Sequence, residues 1–528
     1  MLRNATMLRA LLLALLAVGL ALPGSMGTPA TAAPSGDTFV AAVRNQPTTM
    51  DPAIGTDNPS GKFLVAAYET LVRNKFKTLD ARNVEGVLAT SWDIARDGLT
   101  YTFKLRPGVK FHDGSPLDAE SVKISIERMK AINLGNAFVL SAVQEVRTPD
   151  PSTVQVVLSQ PHAAFLQALS TVYIVSGKAV KENQSGGDWA RGWLRNHEAG
   201  TGPYALADWK LGQEMTLRAF QDYWRGWTGR RPKTLVLRMV PEGATQRLLL
   251  QSREIDWADT LTNDDTYKLM QDKSYRTKTD PGLGVFFLMM NTTKPPLNNV
   301  KVRQALIASF PYEHMLKQVM RGLASPASGY MAPVWPQHDK GPEGKTDLER
   351  AKALLAEAGH PSGGFTLTVV YFAPNEYQGL GSQLWGANLR RLGIGIKLEA
   401  LPWVSLLRRK DDTGPDRPDL VFYQVSPVYA SPDSMLYPIF HSRSTHWSHW
   451  TYANPRMDEW LETVRSALNP ADQSKIYRQI QQQLRADAPG IPVMIFNNNN
   501  IFTLRVRSVE VLPTNGAVID YYTVELGT

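Results

Sequence analysis

Thr90–Met129 reads TSWDIARDGLTYTFKLRPGVKFHDGSPLDAESVKISIERM, and the rest of the chain can be read outward from it. Asp97-Gly98, Pro107-Gly108 and His112-Asp113-Gly114 are turn signals. Between the first two, Tyr101, Phe103 and Leu105 alternate with Thr102, Lys104 and Arg106, the period of a half-buried strand, and Val109 and Phe111 continue it. Asp118 stands where it can cap a helix at Ser121, with Val122, Ile126 and Met129 along one face. The stretch predicts a hairpin followed by a helix.

Composition narrows the function classes. A chain of 528 residues with 43% hydrophobic and 20% charged residues can bury the cores of two or three domains. Of the net charge of +8, Arg3 and Arg9 supply two, and the remaining basic pairs (Arg230-Arg231, Arg390-Arg391, Arg408-Arg409) are far apart. That scatter reads as solvated faces, not as a nucleic-acid surface. Cysteine is absent, which excludes disulfides, thiolate metal sites and a lipid-bearing cysteine. Arg3 and Arg9, the apolar run Leu11 to Leu22 and Ala30-Thr31-Ala32 have the anatomy of a secretory signal cleaved near Ala32. The expectation is a free exported protein, periplasmic and not a lipoprotein.

Downstream of a short β-rich run at Thr38 to Val43, Ser60 to Val72 reads as a helix. Residues 143–158 form another turn-and-strand unit. Thr346 and Glu349 suggest a capping box for a helix ending at Gly359. A strand through Leu367 and Val369, a helix through Leu384 and Leu389, and a strand through Ile396 and Leu398 predict a right-handed parallel βαβ unit. Asp419 to Tyr423 adds a strand, and helices through Met457, Leu461 and Val464, then Ile476, Ile480 and Leu484, lead to Pro489 to Phe496.

Several of these segments, in order, resemble the extracytoplasmic solute-binding proteins of peptide- and nickel-type ABC importers, solute-binding family 5. The resemblance rests on Trp92, Asp97-Gly98, Tyr101-Thr102-Phe103, Leu105-Arg106, Gly108-Val109 and Phe111-His112-Asp113-Gly114. Tyr68-Glu69-Thr70-Leu71-Val72, Thr201-Gly202-Pro203-Tyr204, Tyr223-Trp224, Met290-Asn291-Thr292 and Val302-Arg303-Gln304-Ala305-Leu306 extend it. The chain departs from the pattern at Ser309-Phe310-Pro311-Tyr312, where proline removes a helix donor.

The resemblance implies an α/β, two-lobed periplasmic binding protein (type II, cluster C-like) with an added subdomain in the first lobe. Residues 33–71, 201–285 and 500–528 are then the first lobe, 72–200 its subdomain and 286–499 the second lobe, following the signal at 1–32. The chain crosses between lobes near 285 and returns near 500, a two-segment hinge with the ligand in the cleft. The implied partners are a peptide or peptide-like solute and an inner-membrane ABC permease; no nucleic acid, cofactor or metal is expected, and the state is monomeric. An exported hydrolase, a periplasmic chaperone and a binder of sugars, opine-like conjugates or metal chelates are the alternatives.

No catalytic constellation stands out. His197-Glu198 lacks the second histidine of a zincin, no G-x-S-x-G occurs, and Gly341 and Gly344 before Lys345 are too close for a P-loop. His441, His446 and His449 cluster in sequence without helical spacing, as loop histidines do. In relatives the loop after the last cleft strand, here Tyr423 to Asp433, lines the pocket. An aspartate there holds a dipeptide's ammonium in dipeptide-binding relatives; the matching position is Val428, and no arginine stands near Tyr371 to hold the carboxylate. The candidate ligand-binding residues are Asp57, Tyr371, Phe372, Tyr377, Trp403, Tyr423, Gln424, Val428, Tyr429 and Asp433. Asp57 or Asp433 could replace the missing ammonium anchor.

Overall fold

The computed structural model describes residues 34, 36–75, 84–412, 414, 416–444, 450–512 and 518–527. The signal segment, His446 and His449 lie outside them. The opening hairpin forms as read: Ala89–Ile94 pairs with Thr100–Leu105, Trp92 opposite Phe103. Tyr101, Phe103 and Leu105 are buried. The alternation of Val109 and Phe111 does not continue as a strand; both are buried, and Lys110 makes only an isolated bridge to Pro116. Asp118 caps the helix Ala119–Ile132, accepting from Ser121 N at 2.8 Å, and Val122, Ile126 and Met129 enter the core.

This hairpin belongs to a four-stranded sheet completed by Val143–Asp150 and Thr153–Leu158. Its helix is fastened to the chain's opening segment by Arg128, which grips Asp51 with two bonds of 2.7 and 2.6 Å; both side chains are buried. The apolar side chains of Val175 to Ala199 pack into the core of the neighbouring seven-stranded sheet.

That larger sheet runs in the order Tyr275–Asp280, Asn498–Thr503, Trp257–Ala258, Thr38–Val43, Thr234–Met239, Glu214–Ala219, Tyr204–Lys210. Thr38–Val43 is parallel to both Thr234–Met239 and Trp257–Ala258, so their carboxyl ends share one edge. A second, six-stranded sheet contains the predicted βαβ unit: Thr366–Phe372 and Gly395–Leu401 are parallel, with Glu376–Arg391 between them in sequence. Leu420–Val425 lies parallel on the other side, and Val285–Met290 runs antiparallel between it and Gly490–Phe496. The fold is thus mixed α/β in two lobes.

Two helices differ from the sequence reading. The first spans Asn58–Ala67, shorter than Ser60 to Val72, because Glu69 and Thr70 turn away and Val72–Asn74 joins a two-stranded ribbon. The helix Leu348–Glu357 is capped by Asp347, which accepts from Arg350 N, not by Thr346, whose hydroxyl donates to the Phe310 carbonyl. A carboxylate one residue closer satisfies the free amide, so the hydroxyl is released for another bond. The proline departure has its anticipated effect: Val300–Ser309 ends, and a new short turn starts at Tyr312 after Pro311.

The aromatic block is packing. Tyr223 Oη and Trp224 Nε1 donate to Glu69 at 2.9 and 3.0 Å, and Thr201 Oγ1 adds a third donor at 2.9 Å. Burial nevertheless raises the Glu69 carboxyl above its ordinary range.

Candidate functional site

The chain leaves the first sheet at Asp280 and enters the second at Val285; it returns between Phe496 and Asn498. These two crossings lie side by side at unusually short range. A Cβ placed on Gly282 would come 1.9 Å from the Phe496 carbonyl oxygen, and one on Gly284 would come 2.0 Å from that of Val425. No other residue type fits either position without moving backbone.

The geometry follows from the topology. The crossings join the carboxyl edge of Thr38–Val43 and Trp257–Ala258 to that of Thr366–Phe372, Gly395–Leu401 and Leu420–Val425. In open α/β sheets, ligands lie outside the carboxyl ends of the strands. A cavity of about 340 Å³ opens here, walled on one side by Arg44, Asn58, Lys62 and Trp257 to Leu261. Met320, Leu323 and Phe496 wall the other side, and the return crossing Asn497 to Asn500 lines it as well.

The cavity's charges can be traced individually. Asp259 accepts from the Arg44 amide at 3.1 and 3.2 Å, from Lys62 Nζ at 2.9 Å and from Gln246 Nε2 at 3.1 Å. Lys62 also donates to Asn58 Oδ1. Several amides are committed: Asn263 Nδ2 donates to the Val319 carbonyl at 3.2 Å, Asn499 Nδ2 to that of Leu323 at 3.1 Å, and Asn500 Oδ1 accepts from Trp257 Nε1 at 3.2 Å. The first of these bonds runs from one lobe to the other, and the second ties the return crossing to Leu323. Arg44 as a residue is half-buried in this lining, and among the described residues no side-chain hydrogen bond or ion pair engages its guanidinium.

The predicted site residues divide into three groups. Tyr371 and Phe372, at the end of their strand, face opposite layers: Tyr371 and Tyr377 pack with the core around Trp385, Phe372 with the core around Tyr423. Phe372 meets the exposed Trp403 edge to face, ring centroids 6.0 Å apart, so these two stay together at the carboxyl edge. Tyr423 is 1% exposed and forms part of the second lobe's core, while Gln424 pairs through the strand with Phe286.

A second group lies where the second lobe touches the subdomain. Val428 packs half-buried against the subdomain core and Tyr429 is buried in it. Tyr429 Oη donates to Asp433 Oδ2 at 2.6 Å, and His162 Nε2 and Arg465 Nε lie 3.6 and 3.8 Å from the same oxygen. Burial pushes the Asp433 carboxyl up, but His162 and Arg465 outweigh that and hold it at about 2. The third group is Asp57, which caps the helix Asn58–Ala67 and accepts from Thr48 Oγ1, Ser60 N and Ser60 Oγ at 2.6 to 2.9 Å. Asp57 is therefore committed to its cap, and Asp433 is engaged through Oδ2, while its Oδ1 is buried with no hydrogen-bond partner among the described residues.

His441 is buried and bonds Glu462 at 3.1 Å, stacked on Tyr437 at 4.3 Å. Among the described residues no group of three histidines or carboxylates is placed to hold a metal ion. Nor is any described helix long and apolar enough to cross a membrane. Arg44, Lys62, Asp259 and Asn497 to Asn500 were missed in the sequence. The run of four asparagines at the anticipated return crossing was the available signal.

Comparison with known proteins bears on this arrangement. The model of bacterial extracellular solute-binding proteins, family 5 Middle, matches residues 83–447. The probable D,D-dipeptide-binding periplasmic protein DdpA of Escherichia coli (strain K12) is 30% identical over 461 residues, covering 86% of this chain and 87% of that protein. The glutathione-binding protein GsiB of Salmonella paratyphi A is 26% identical over 497 residues, 91% and 93% of the two chains. Among solved structures, the ABC transporter-associated periplasmic binding protein DppA from Helicobacter pylori in complex with peptide STSA superposes with a TM-score of 0.79 at 25% identity, covering 93% of this chain and 98% of that one.

Proposed function

Because the chain belongs to the bacterial extracellular solute-binding proteins, family 5, we propose that it captures a peptide or peptide-like solute between its lobes and delivers it to the membrane permease of an ABC importer. The observation that carries this reading is the cavity at the two chain crossings, lined from both lobes, polar on the first-lobe side and along the return crossing and apolar at Met320, Leu323 and Phe496. A site split across a hinge couples occupancy to lobe closure, which is how a carrier without chemistry of its own signals that it is loaded. Relatives named for D,D-dipeptides and glutathione, and a similar structure holding a peptide, support the solute class. Residues 33–71, 201–285 and 500–528 with the subdomain 72–200 move as one lobe, 286–499 as the other. Phe372 and Trp403 offer an aromatic wall at the cleft edge. The protein works as an exported monomer after cleavage near Ala32, with ATP hydrolysis left to the importer.

Native mass spectrometry of the mature protein, purified without unfolding, tests this. The expected result is a stoichiometric peptide-like mass, and after stripping by denaturation and refolding, a radius of gyration that falls when that solute is returned. Turnover of the solute, or a scattering profile indifferent to it, would overturn the reading.

A further inference from the structure

The cavity's charges do not balance. Its lining carries three charged groups, Arg44, Lys62 and Asp259. Lys62 and Asp259 neutralise each other at 2.9 Å, and Asp259 is further filled by the Arg44 amide and Gln246. Acids flanking Asp259 along the chain are also engaged: Asp256 with Arg505 at 3.1 Å, Asp264 with Arg321 at 2.8 Å and Asp265 with Arg247 at 3.3 Å. One positive charge is left over, on a side chain whose planar fork of donors matches a carboxylate bidentately. Arg44 immediately follows the strand Thr38–Val43, so the ordered sheet and the Asp259 carboxylate on its backbone amide fix where it starts from. A partly covered arginine at the cavity wall, with no counter-ion among the described residues, is well placed to receive an anionic guest.

At the candidate anchors the opposite charge is either missing or built into the fold. Val428 is apolar, Asp433 is closed in by His162, Tyr429 and Arg465, and Asp57 is consumed by its cap. We infer that the cleft selects its solute by a carboxylate held at Arg44, with no buried partner at those positions for a free ammonium. This rests on the cleft being the solute site and narrows the solute to a carboxylate-bearing class, for which a blocked amine is tolerated.

The test uses stripped, full-length mature protein and a pool of tri- to pentapeptides with neutral side chains and free carboxyl ends, compared with the same pool amidated at that end. Native mass spectrometry and calorimetry should show the amidated pool binding at least tenfold more weakly. Arg44→Gln should weaken the acid pool by a similar factor and erase the discrimination with its melting temperature unchanged, while Arg44→Lys should keep part of it. Equal binding of the two pools, or discrimination that survives in Arg44→Gln, overturns the inference and leaves the peptide reading standing. If neither pool binds the wild-type protein, the peptide reading falls. Lactate, succinate and citrate, titrated at matched ionic strength, then decide the Arg44 assignment: thermal protection in wild type that disappears in Arg44→Gln upholds it, and no protection, or protection equal in both, overturns it.

Discussion

At the hinge, Arg44, Lys62 and Asp259 face Met320, Leu323 and Phe496 across about 340 Å³. Where the subdomain meets the second lobe, Ala163 and Ala164 lie against Asp433 and Arg465 around a void of about 10 Å³, barely room for a single water. Both regions join the same two lobes. The hinge region does so through long-range side-chain contacts at its rim, including the exposed pair Arg321–Asp264, a class worth at most about 1 kcal/mol. The second region excludes solvent and buries a carboxylate beside an imidazole: His162 and Asp433 are 4% and 3% exposed, and the Ala163 amide donates to the Arg465 carbonyl at 2.7 Å. One contact leaves space and an unbalanced cation, which suits a guest. The other leaves neither, which suits a clamp. Selection and closure are thus assigned to different residues.

The largest effect should come from breaking the clamp. Asp433→Ala leaves His162, Tyr429 Oη and Arg465 facing an apolar methyl in a dry contact. Removing one member of a buried pair costs about 3 kcal/mol. Thermal unfolding should show that loss, and scattering should show lobes further apart. If Asp433→Ala melts like wild type, the contact is incidental and the contrast with the hinge cavity collapses.

Acid should dissolve the same contact in a defined window. The Asp433 carboxyl sits at about 2 in the folded protein, against about 3.9 in an unfolded chain. A depressed carboxylate adds stability that is present above the unfolded value and is lost as pH falls through the folded one. The loss between roughly pH 4 and pH 2 should amount to about 2 kcal/mol. Denaturant titrations across that range should show it in wild type and a flatter profile in Asp433→Asn; parallel profiles would mean other carboxylates dominate.

The hinge cavity should behave in the opposite sense. Arg44→Gln removes a partly exposed side chain that strands no partner among the described residues, so stability should stay within about 0.5 kcal/mol while solute affinity falls at least tenfold. A stability loss comparable to that of Asp433→Ala would mean that Arg44 holds the lobes together and does not wait for a guest.

The sequence carried one kind of information well. The Tyr101/Phe103/Leu105 alternation, the Asp118 cap and the strand–helix–strand of 366–401 are local, and each formed as read. The candidate wall was less legible because the second sheet is covered on both faces. Tyr371 and Phe372 are neighbours in sequence, yet each packs into a different core, so alternation cannot say which side is the cleft. Arg44, Asp259 and Asn499 are separated by more than 200 residues at each step and meet only through pairing of Thr38–Val43 with Trp257–Ala258, and of that strand with Asn498–Thr503. Non-local register of that kind leaves no periodic trace. The carboxylates were visible as residues but not as spent ones: nothing in the sequence around Asp433 announces His162.

The smallest effect separates pH sensitivity within a lobe from sensitivity between lobes. His112 lies in the first lobe, its Nδ1 within 2.8 Å of Glu198 Oε2 and its Nε2 2.8 Å from the Gly202 carbonyl, so it ties the subdomain's opening motif to the segment before Tyr204–Lys210. Burial pulls its imidazolium down, but the charge of Glu198 and the bonds to Glu198 and Gly202 outweigh burial, and the net shift is upward. A group protonated more readily when folded stabilises the fold below its unfolded value, about 6.5 for histidine. That contribution is lost as pH rises through the elevated folded value. Between neutral and mildly alkaline pH, the wild-type melting temperature should therefore decline, and His112→Gln should flatten the decline. The spacing of the lobes in scattering should not change across the same interval, because Glu198 and Gly202 belong to the same lobe as His112 and Asp433 stays ionised throughout. A radius of gyration that grows with the alkaline decline in wild type, and not in His112→Gln, would show that the first lobe's internal tie also governs closure. The two regions would then be one coupled device.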